Sequence, residues 1–519
     1  MNAHTPAKRS LLVSMLALVL LILPACTVTE EQTQAAVVLP TPQLPYVAPI
    51  GDATLEYQAE ATLYLPRFDS ARLVSFTETI TFSAARLDAE SIIRALISHA
   101  GNGIASPLGG EVKLSLYGAN PVEVSGSIAT VNLAASALQL DRKTLYLCGQ
   151  AIANTLSELS HIQYVNLLVM DKQLGLDVAA TLPSGAFTRS MISDIGAVYD
   201  QLASHRVQAG EDPSQKQVAT TATLYYPLTT VNGVIAEARN ITFSSLALES
   251  MILQLLEELA DGPAIISGSS PLPLLADILS ETPRVIQRQD GGGLIVSLLF
   301  ENTLLDMLDA VGVPRASLYG SLCYTLTTCI PNITGLMIQV GGERVEHVML
   351  TATEGILFPE GLMLRSHFAP LLMDMATLYF ADQDSQQLVR IQRPVPFYQR
   401  TNPRALLLAL FRGPTAADSG QNHLPITAGT ALSDADIIGI SLIDQTLVIN
   451  LSTNFMQAGK GLTQQQDRLL AYAMVNTLLE DKRANRICFF VGGKVPDGFT
   501  GEIDWKGLFY VNFGLAGQS

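Results

Sequence analysis

Hydrophobic and polar positions follow the same pattern three times along the chain. The tetrapeptide Ala-Thr-Leu-Tyr occurs at residues 61–64, 222–225 and 376–379, and each copy is followed by a proline or a polar turn. Alternating apolar and polar residues predict a half-buried strand, and the following turn predicts a second extended segment. Because the copies are roughly 150–160 residues apart, the period is that of a domain.

A first helix is predicted after each of these strand pairs. Paired apolar positions one turn apart give a wide apolar face that must be buried. Two of the three helices also end in Gly-Pro, at 262–263 and 413–414, a typical helix stop. The paired positions are Ile92, Ile93, Leu96 and Ile97; Met251, Ile252, Leu255 and Leu256; and Leu406, Leu407, Leu410 and Phe411.

A strand pair, a second helix and a closing strand pair complete each unit. The strand centres are predicted at 131–133, 296–298 and 449–451, and the closing turns at 171–172, 341–342 and 492–493. The second helices share an apolar seam with spacing i, i+4, i+8, and a threonine precedes each last seam residue, where packing at the helix end is the predicted role. The seams are Cys148, Ile152, Leu156; Leu318, Leu322, Leu326; and Leu470, Met474, Leu478, and the threonines are Thr155, Thr325 and Thr477.

The repeated order of elements predicts an α+β fold with three tandem domains, each with two helices packed on a small mixed β-sheet. The predicted domains are 57–192, 218–367 and 372–519. Polar residues 193–217 match no repeat and are interpreted as a linker between the first two domains. Only a few residues join the second and third domains, which predicts that these two are docked rigidly.

The N-terminus predicts export and lipid attachment. Lys8 and Arg9 precede the apolar run Leu11–Leu23, which is too short to cross a bilayer comfortably but has the length of a signal-peptide core. The following Leu-Pro-Ala-Cys resembles a lipobox, so residues 1–25 are interpreted as a lipoprotein signal peptide and Cys26 as the lipidation site. Residues 26–56, rich in proline and threonine, are predicted to form a semi-rigid tether.

Composition and charge narrow the function classes. Hydrophobic residues make up 48% and charged residues 15% of the chain, which excludes a disordered protein, and the net charge of −16 argues against nucleic acid as a partner. The remaining cysteines, at 148, 323, 329 and 488, are scattered, so we expect free and mostly buried thiols.

The sequence offers no catalytic constellation. It has no zinc-protease, nucleophile-elbow or P-loop motif, and the seven histidines are scattered. Asp382 and Asp384 lack a full set of oxygen ligands and are interpreted as a hairpin tip. The glycine-rich stretches 101–103 and 291–293 are interpreted as turns. We therefore predict no enzyme, no catalytic or metal site and no cofactor.

The repeat resembles the GerMN domain of spore germination and sporulation lipoproteins of the GerM type. The resemblance rests on the opening Thr-Leu-Tyr strand, the leucine-rich helix ending in Gly-Pro, Asn-Thr-Leu at 154–156 and 476–478, and Gly-Gly-Lys at 492–494. It covers residues 57–519, with three copies where two are common, and the first unit lacks the Gly-Pro stop. It implies a fold similar to ring-building motifs.

This resemblance implies a non-catalytic scaffold or assembly factor in sporulation or germination. The expected location is the outer face of the cytoplasmic membrane, with the N-terminal lipid as anchor and envelope or sporulation-complex proteins as partners. Two other classes stay open: an envelope lipoprotein that binds a solute or peptidoglycan fragment, and a cell-wall hydrolase. A hydrolase needs one indispensable polar side chain, whereas a scaffold distributes its function over exposed edges and loops.

Overall fold

The computed structural model describes residues 45–52, 56–83, 86–192, 194–229, 231–264, 271–382, 384–415, 423–426, 430–481 and 483–516. The predicted signal peptide, Cys26 and most of the tether lie outside these residues. From Tyr46 onward the chain forms one compact unit. Within the described residues, none of the helices combines the length and the apolar character needed to cross a membrane.

Three successive units, called units 1, 2 and 3, repeat one order of elements. Unit 1 contains β1 (Glu56–Arg67), β2 (Arg72–Ser83), α1 (Asp88–Ser98), β3 (Val122–Ser125), β4 (Ile128–Leu133), α2 (Arg142–Leu156), β5 (Tyr164–Val169) and β6 (Phe187–Thr188), followed by α3 (Ile195–Ala203). Unit 2 contains β7 (Val218–Pro227), β8 (Val234–Phe243), α4 (Leu248–Ala260), β9 (Arg284–Gln287), β10 (Leu294–Phe300), α5 (Thr303–Val311), α6 (Arg315–Cys329), β11 (Ile333–Val340), β12 (Glu343–Arg344), β13 (His347–Met349), β14 (Gly355–Leu357) and β15 (Leu362–Leu364). Unit 3 contains β16 (Met373–Ala381), β17 (Leu388–Pro396), α7 (Pro403–Phe411), β18 (Ile437–Ile443), β19 (Thr446–Leu451), α8 (Asn454–Ala458), α9 (Gln464–Leu479) and β20 (Arg486–Val491).

Each unit has an opening-hairpin sheet and a mixed sheet where the sequence predicted one sheet, and in unit 2 the strands β13 and β14 form a third, two-stranded sheet. The opening hairpin, such as β1–β2, forms a two-stranded sheet of its own. The other strands form a mixed sheet, in which β4 pairs antiparallel with β3 and parallel with β5. The α+β class is confirmed, but the strands of the hairpin were wrongly assigned to the mixed sheet.

The predicted apolar faces of both helices pack into the core, although Ile97 is only half-buried. All nine seam residues of the second helices are buried, and Cys148 occupies the place that leucine has in the other two units. The helices α4 and α7 are followed by Gly262 and Gly413, both with positive φ, which glycine adopts without strain. One continuous apolar core runs through units 1 and 2, whereas unit 3 has a core of its own. The tight packing of unit 1 on unit 2 was not predicted.

The predicted strand centre of unit 2 is displaced by two residues. Leu133 and Leu451 end the middle strands of units 1 and 3, and their carbonyls accept hydrogen bonds from the closing turns. In unit 2, Phe300 has this role, so residues 298–300, and not 296–298, correspond to 131–133. A slip of two residues keeps every side chain on its face of the sheet, and the alternation alone therefore does not reveal it.

Two other segments differ in detail from the sequence interpretation. The closing turns have positive φ at both central residues, as tight hairpins require; these are 341–342 and 492–493 as predicted, but 170–171 in unit 1, one residue before the predicted position. The returning strand is only a bridge in units 1 and 3 and the two-residue β12 in unit 2. The segment 193–217 contains α3, whose Tyr199 donates a hydrogen bond to the Leu176 carbonyl at 2.8 Å, so this part of the linker is packed on unit 1.

The recurring threonine has a more specific role than helix-end packing. In each unit its hydroxyl accepts a hydrogen bond from the backbone N–H of the tyrosine in the opening strand, and the hydroxyl is buried. The pairs are Tyr64 with Thr155 at 3.0 Å, Tyr225 with Thr325 at 3.1 Å, and Tyr379 with Thr477 at 3.0 Å. This bond ties the opening hairpin, which shares no strand with the mixed sheet, to the second helix.

Replacing Thr477 with valine should therefore destabilise the protein. Valine keeps the shape but leaves the buried N–H of Tyr379 without its acceptor, which costs about 2 kcal/mol. Thr477→Ser keeps the hydroxyl and loses one methyl group, at a cost of about 0.8 kcal/mol. Urea unfolding compares the variants; equal stability of the two would contradict a structural role for this hydrogen bond.

Candidate functional site

The residues that the sequence analysis considered for metal binding or reactivity have structural surroundings. Asp382 accepts hydrogen bonds from the backbone of Gln386 and Gln387 in the β16–β17 turn, which confirms the hairpin tip. The four remaining cysteines are free and buried, as expected. Among the described residues, no three His, Cys, Asp or Glu side chains are grouped so that they could hold a metal ion.

The asparagine of Asn-Thr-Leu binds the segment that returns along the last strand. In unit 1, Asn154 donates to the carbonyl of Ser190 at 2.8 Å and accepts from its N–H at 2.9 Å. In unit 3, Asn476 makes the same pair of bonds with Asn512, at 3.0 and 2.9 Å. The family-like motif is thus a structural lock within units 1 and 3.

Unit 2 departs from this motif, and a buried ion pair lies at the departure. Tyr324 stands where the other units have asparagine, and the guanidinium of Arg365 lies over its ring at 4.2 Å from the centroid. Arg365 donates to the Oε2 atom of Glu123 in unit 1 from Nε at 3.1 Å and from Nη2 at 2.6 Å. It also donates to Thr328 and Tyr225.

Both members of this ion pair are almost inaccessible, with 3% exposure for Arg365 and 8% for Glu123. Burial opposes the charge of Arg365, but the Glu123 carboxylate and the two tyrosines hold the pKa of the guanidinium above its ordinary value. A buried charge without its partner is strongly destabilising. The pair therefore makes the contact between units 1 and 2 specific and costly to break.

The Ser125–Gly126 turn of unit 1 is the point where all three units meet. Ser125 donates to the Met373 carbonyl of unit 3 at 2.6 Å and accepts from the Ala236 N–H of unit 2 at 3.0 Å. The N–H of Gly126 binds Asp374 of unit 3 at 3.0 Å. A β-carbon at Gly126 would lie 2.9 Å from the Ala236 carbonyl oxygen, and φ is +61° there. Both the lack of space and the backbone conformation therefore require glycine.

Asp374 is the buried acidic group of this junction. Its Oδ2 atom lies 3.1 Å from Nε of Arg400. Burial raises the pKa of Asp374 to about 6, against the opposing effect of Arg400. Units 1 and 3 are joined a second time by Arg483 and Asp88, at 3.0 Å.

Two recesses are relevant to the alternative function, in which the protein binds a solute or a peptidoglycan fragment. A cavity of about 90 Å³ lies beside the ion pair and is lined by polar groups that include Asn132 and Asp171. This is far below the roughly 300–1,000 Å³ of a typical small-molecule site. A wider groove of about 500 Å³ runs beside α1 in unit 1, but its Arg94 is already paired with Glu90 at 2.7 Å.

The mixed sheet has an outer face, opposite its helices, which is covered differently in the three units. In unit 1 it carries Asn166, which accepts from Thr223 of β7 at 3.1 Å, so unit 2 lies on it. In unit 3 it carries Thr446 and Asn450, which bind residues that precede unit 1. In unit 2 this face is only half-buried, and Ile286 at its edge is 47% exposed.

The family match falls on unit 3. Residues 377–497 match the Germane family model, described as sporulation and spore germination. This stretch runs from the opening strand to the segment just after β20. Unit 3 therefore matches the Germane family model, which confirms the predicted GerMN resemblance for this part of the chain. The family is not known as one of enzymes.

Three solved structures are similar to parts of this chain, with low TM-scores. The tandem GerMN domains of the sporulation protein GerM from Bacillus subtilis are 16% identical, with 53% of this chain and 92% of that chain covered and a TM-score of 0.21. The first of these domains alone is 17% identical over 28% of this chain and 98% of that chain, with a TM-score of 0.18. A putative lipoprotein from Clostridium perfringens is 19% identical over 27% and 87%, with a TM-score of 0.18. A search of curated proteins gives no match.

The contact between units 1 and 2 was missed from the sequence, although one signal was present. The second unit has Tyr-Thr-Leu at 324–326 where its neighbours have Asn-Thr-Leu. A position that differs in one copy of a repeat indicates a contact that only this copy makes. The partner Glu123 carries no comparable signal.

The ion pair can be tested by a double-mutant cycle. Glu123→Gln and Arg365→Met should each destabilise the protein by about 3 kcal/mol, because each leaves a buried charge unpaired. The double variant should cost clearly less than the sum. The matched control is the exposed pair Lys143–Asp200, for which urea unfolding should show almost no change or coupling. If the losses in unfolding free energy caused by Glu123→Gln and Arg365→Met were additive, a direct interaction between the two side chains would be refuted.

Proposed function

We propose that this protein is a membrane-anchored, non-catalytic scaffold that assembles envelope proteins in sporulation or spore germination. Its three GerMN-like domains, 57–192, 218–367 and 372–519, present surfaces similar to those of ring-building motifs. A lipid on Cys26 holds the chain at the outer face of the cytoplasmic membrane. The family match of unit 3 supports the biological setting.

The outer sheet face of unit 2 is the observation that carries the scaffold role. The corresponding face of unit 1 is a protein–protein contact within the chain, filled by β7 of unit 2. The face of unit 2 belongs to the same sheet of the repeat but is more apolar, and Ile295, Leu299 and Met337 stay half-buried there. A face built for stacking and left open is a binding surface for another protein.

The expected occupant is a β-hairpin or edge strand of an envelope protein. In unit 1 the same kind of face is occupied by an opening hairpin of this fold, which binds it through hydrogen bonds such as those of Thr223 with Asn166 and of Ala236 with Ser125. The most distinctive polar groups of the repeats, such as Thr325, Asn476 and Arg365, already bind partners within the chain. Function is therefore expected to depend on surface shape rather than on one reactive group.

Changing the open face should abolish function without unfolding the protein. Ile286→Glu combined with Ile295→Gln places polar groups on the face, so partner recovery in a pull-down from sporulating cells and the yield of germinating spores should fall at least tenfold. The matched control is Val311→Glu on α5 of the same unit, a site that is 42% exposed. It should leave both readouts unchanged.

Two outcomes would contradict the scaffold role. One is wild-type function of the double variant with an unchanged unfolding midpoint. The other is an alanine variant at one exposed polar residue that keeps its stability and membrane location yet loses all function, as a hydrolase would.

The anchor is tested separately by Cys26→Ala. Without the acyl chains, which contribute about 0.8 kcal/mol per buried methylene, the processed chain should leave washed membranes. Fractionation of cells that produce the variant measures this. Retention of the variant with the membranes at the wild-type level would refute lipid anchoring.

A further inference from the structure

Residues 46–52, called the strap here, lie on unit 3 although they precede unit 1 in the chain. The hydroxyl of Tyr46 is 2.9 Å from Oγ1 of Thr446. The carbonyl of Pro49 accepts a hydrogen bond from the Asn450 amide at 2.9 Å. The strap therefore runs along β19, over the outer face of the unit 3 sheet.

The far end of the strap is held by a backbone bond and a two-pronged ion pair. The N–H of Gly51 donates to the carbonyl of Ile438 at 2.9 Å. The carboxylate of Asp52 accepts from Nε and Nη2 of Arg404, at 2.7 and 2.9 Å. Bidentate pairs of this kind fix geometry as well as add energy.

The unit 3 sheet is shaped to receive the strap. The pairing of β18 with β19 shifts register between Ile437 and Gly439, which frees the Ile438 carbonyl for Gly51. A β-carbon at Gly439 would lie 2.6 Å from the Gly51 carbonyl oxygen and 2.7 Å from that of Pro49. Only glycine leaves room for the strap at this position.

The comparison with unit 1 shows that the strap occupies a stacking position. Asn132 in unit 1 and Asn450 in unit 3 are equivalent, and each accepts a hydrogen bond from the closing turn of its unit. The face around Asn132 is covered by unit 2, whereas the free amide hydrogen of Asn450 binds the strap. The strap thus fills the place that a neighbouring unit has elsewhere.

We propose that the strap transfers the membrane attachment point from unit 1 to unit 3, so that unit 3, which carries the family match, is the membrane-proximal unit. This rests on the proposed lipid at Cys26. From Cys26 to the strap the chain has about 20 residues, which reach at most about 70 Å when fully extended. With the strap released, the first held residue is in β1, and the reach increases to about 100 Å.

The strap itself is tested by amide hydrogen exchange of the full chain in detergent, which does not depend on the membrane. Asp52→Ala should speed exchange at Gly51 about tenfold, because loss of the ion pair releases the strap. Asp52 lies outside the repeats, so the variant leaves unit 3 folded. The control is Asp434→Ala, which removes the other carboxylate bound to Arg404 and should not change exchange in the strap. Unprotected strap amides in the wild type, or no effect of Asp52→Ala, would overturn the contact.

The orientation is tested by energy transfer from the full chain to acceptor lipids in vesicles of phosphatidylglycerol and phosphatidylethanolamine. A dye is attached at Lys494→Cys in unit 3 or at Val178→Cys in unit 1; both positions are exposed and the native thiols are buried. Transfer should be at least twofold higher from unit 3, and Asp52→Ala should remove the difference. Equal transfer in the wild type would overturn the proposal. A protein that does not bind the vesicles would instead refute the anchor, while the exchange experiment would still decide the strap.

Discussion

Each of the three units depends on its own copy of one hydrogen bond. The bond joins a threonine hydroxyl in the second helix to the N–H of the tyrosine in the opening strand. The opening hairpin shares no strand with the mixed sheet, and this bond is the contact that fixes it to the second helix in all three units. The bond is buried, and burial of an N–H without an acceptor would cost more than the bond gains. It therefore selects one register of the hairpin on the helix, and the apolar seam of the helix then forms a core with the mixed sheet.

Next to this threonine is the position at which the units diverge. In units 1 and 3 an asparagine binds the returning segment and completes the unit. In unit 2, Tyr324 cannot make that bond. Its ring instead packs against the guanidinium of Arg365, which forms an ion pair with Glu123 of unit 1. The tyrosine at 324 thus replaces an asparagine that would bind within one unit, and a bond between two units is formed instead. The bond lies between the two units that share a continuous apolar core, whereas unit 3 has a core of its own.

The sequence predicts what is periodic and local. The helix seams, the Gly-Pro stops, the tight turns and the three-fold repeat all follow from spacing, because the residues that interact are close in the chain. The register of β10 was misjudged by two residues, since alternation has a period of two. The contacts of Glu123 with Arg365 and of Asp52 with Arg404 join residues 242 and 352 positions apart. No local sequence pattern predicts such distant pairs. Only Tyr324, which stands where the other units have asparagine, indicated the contact of Glu123 with Arg365.

The outer face of the mixed sheet connects these observations with function. One construction is used three times, and it receives a neighbouring unit in unit 1, the chain's own strap in unit 3, and only partial cover in unit 2. In units 1 and 3 polar residues of this face, such as Asn166 and Asn450, bind the cover by hydrogen bonds, whereas the face of unit 2 is more apolar and its exposure to water is costly. Two of the three covers are supplied within the chain. The third face, at Ile286 and Met337, is apolar and only partly covered, and this is the reason to propose a protein partner there rather than a substrate.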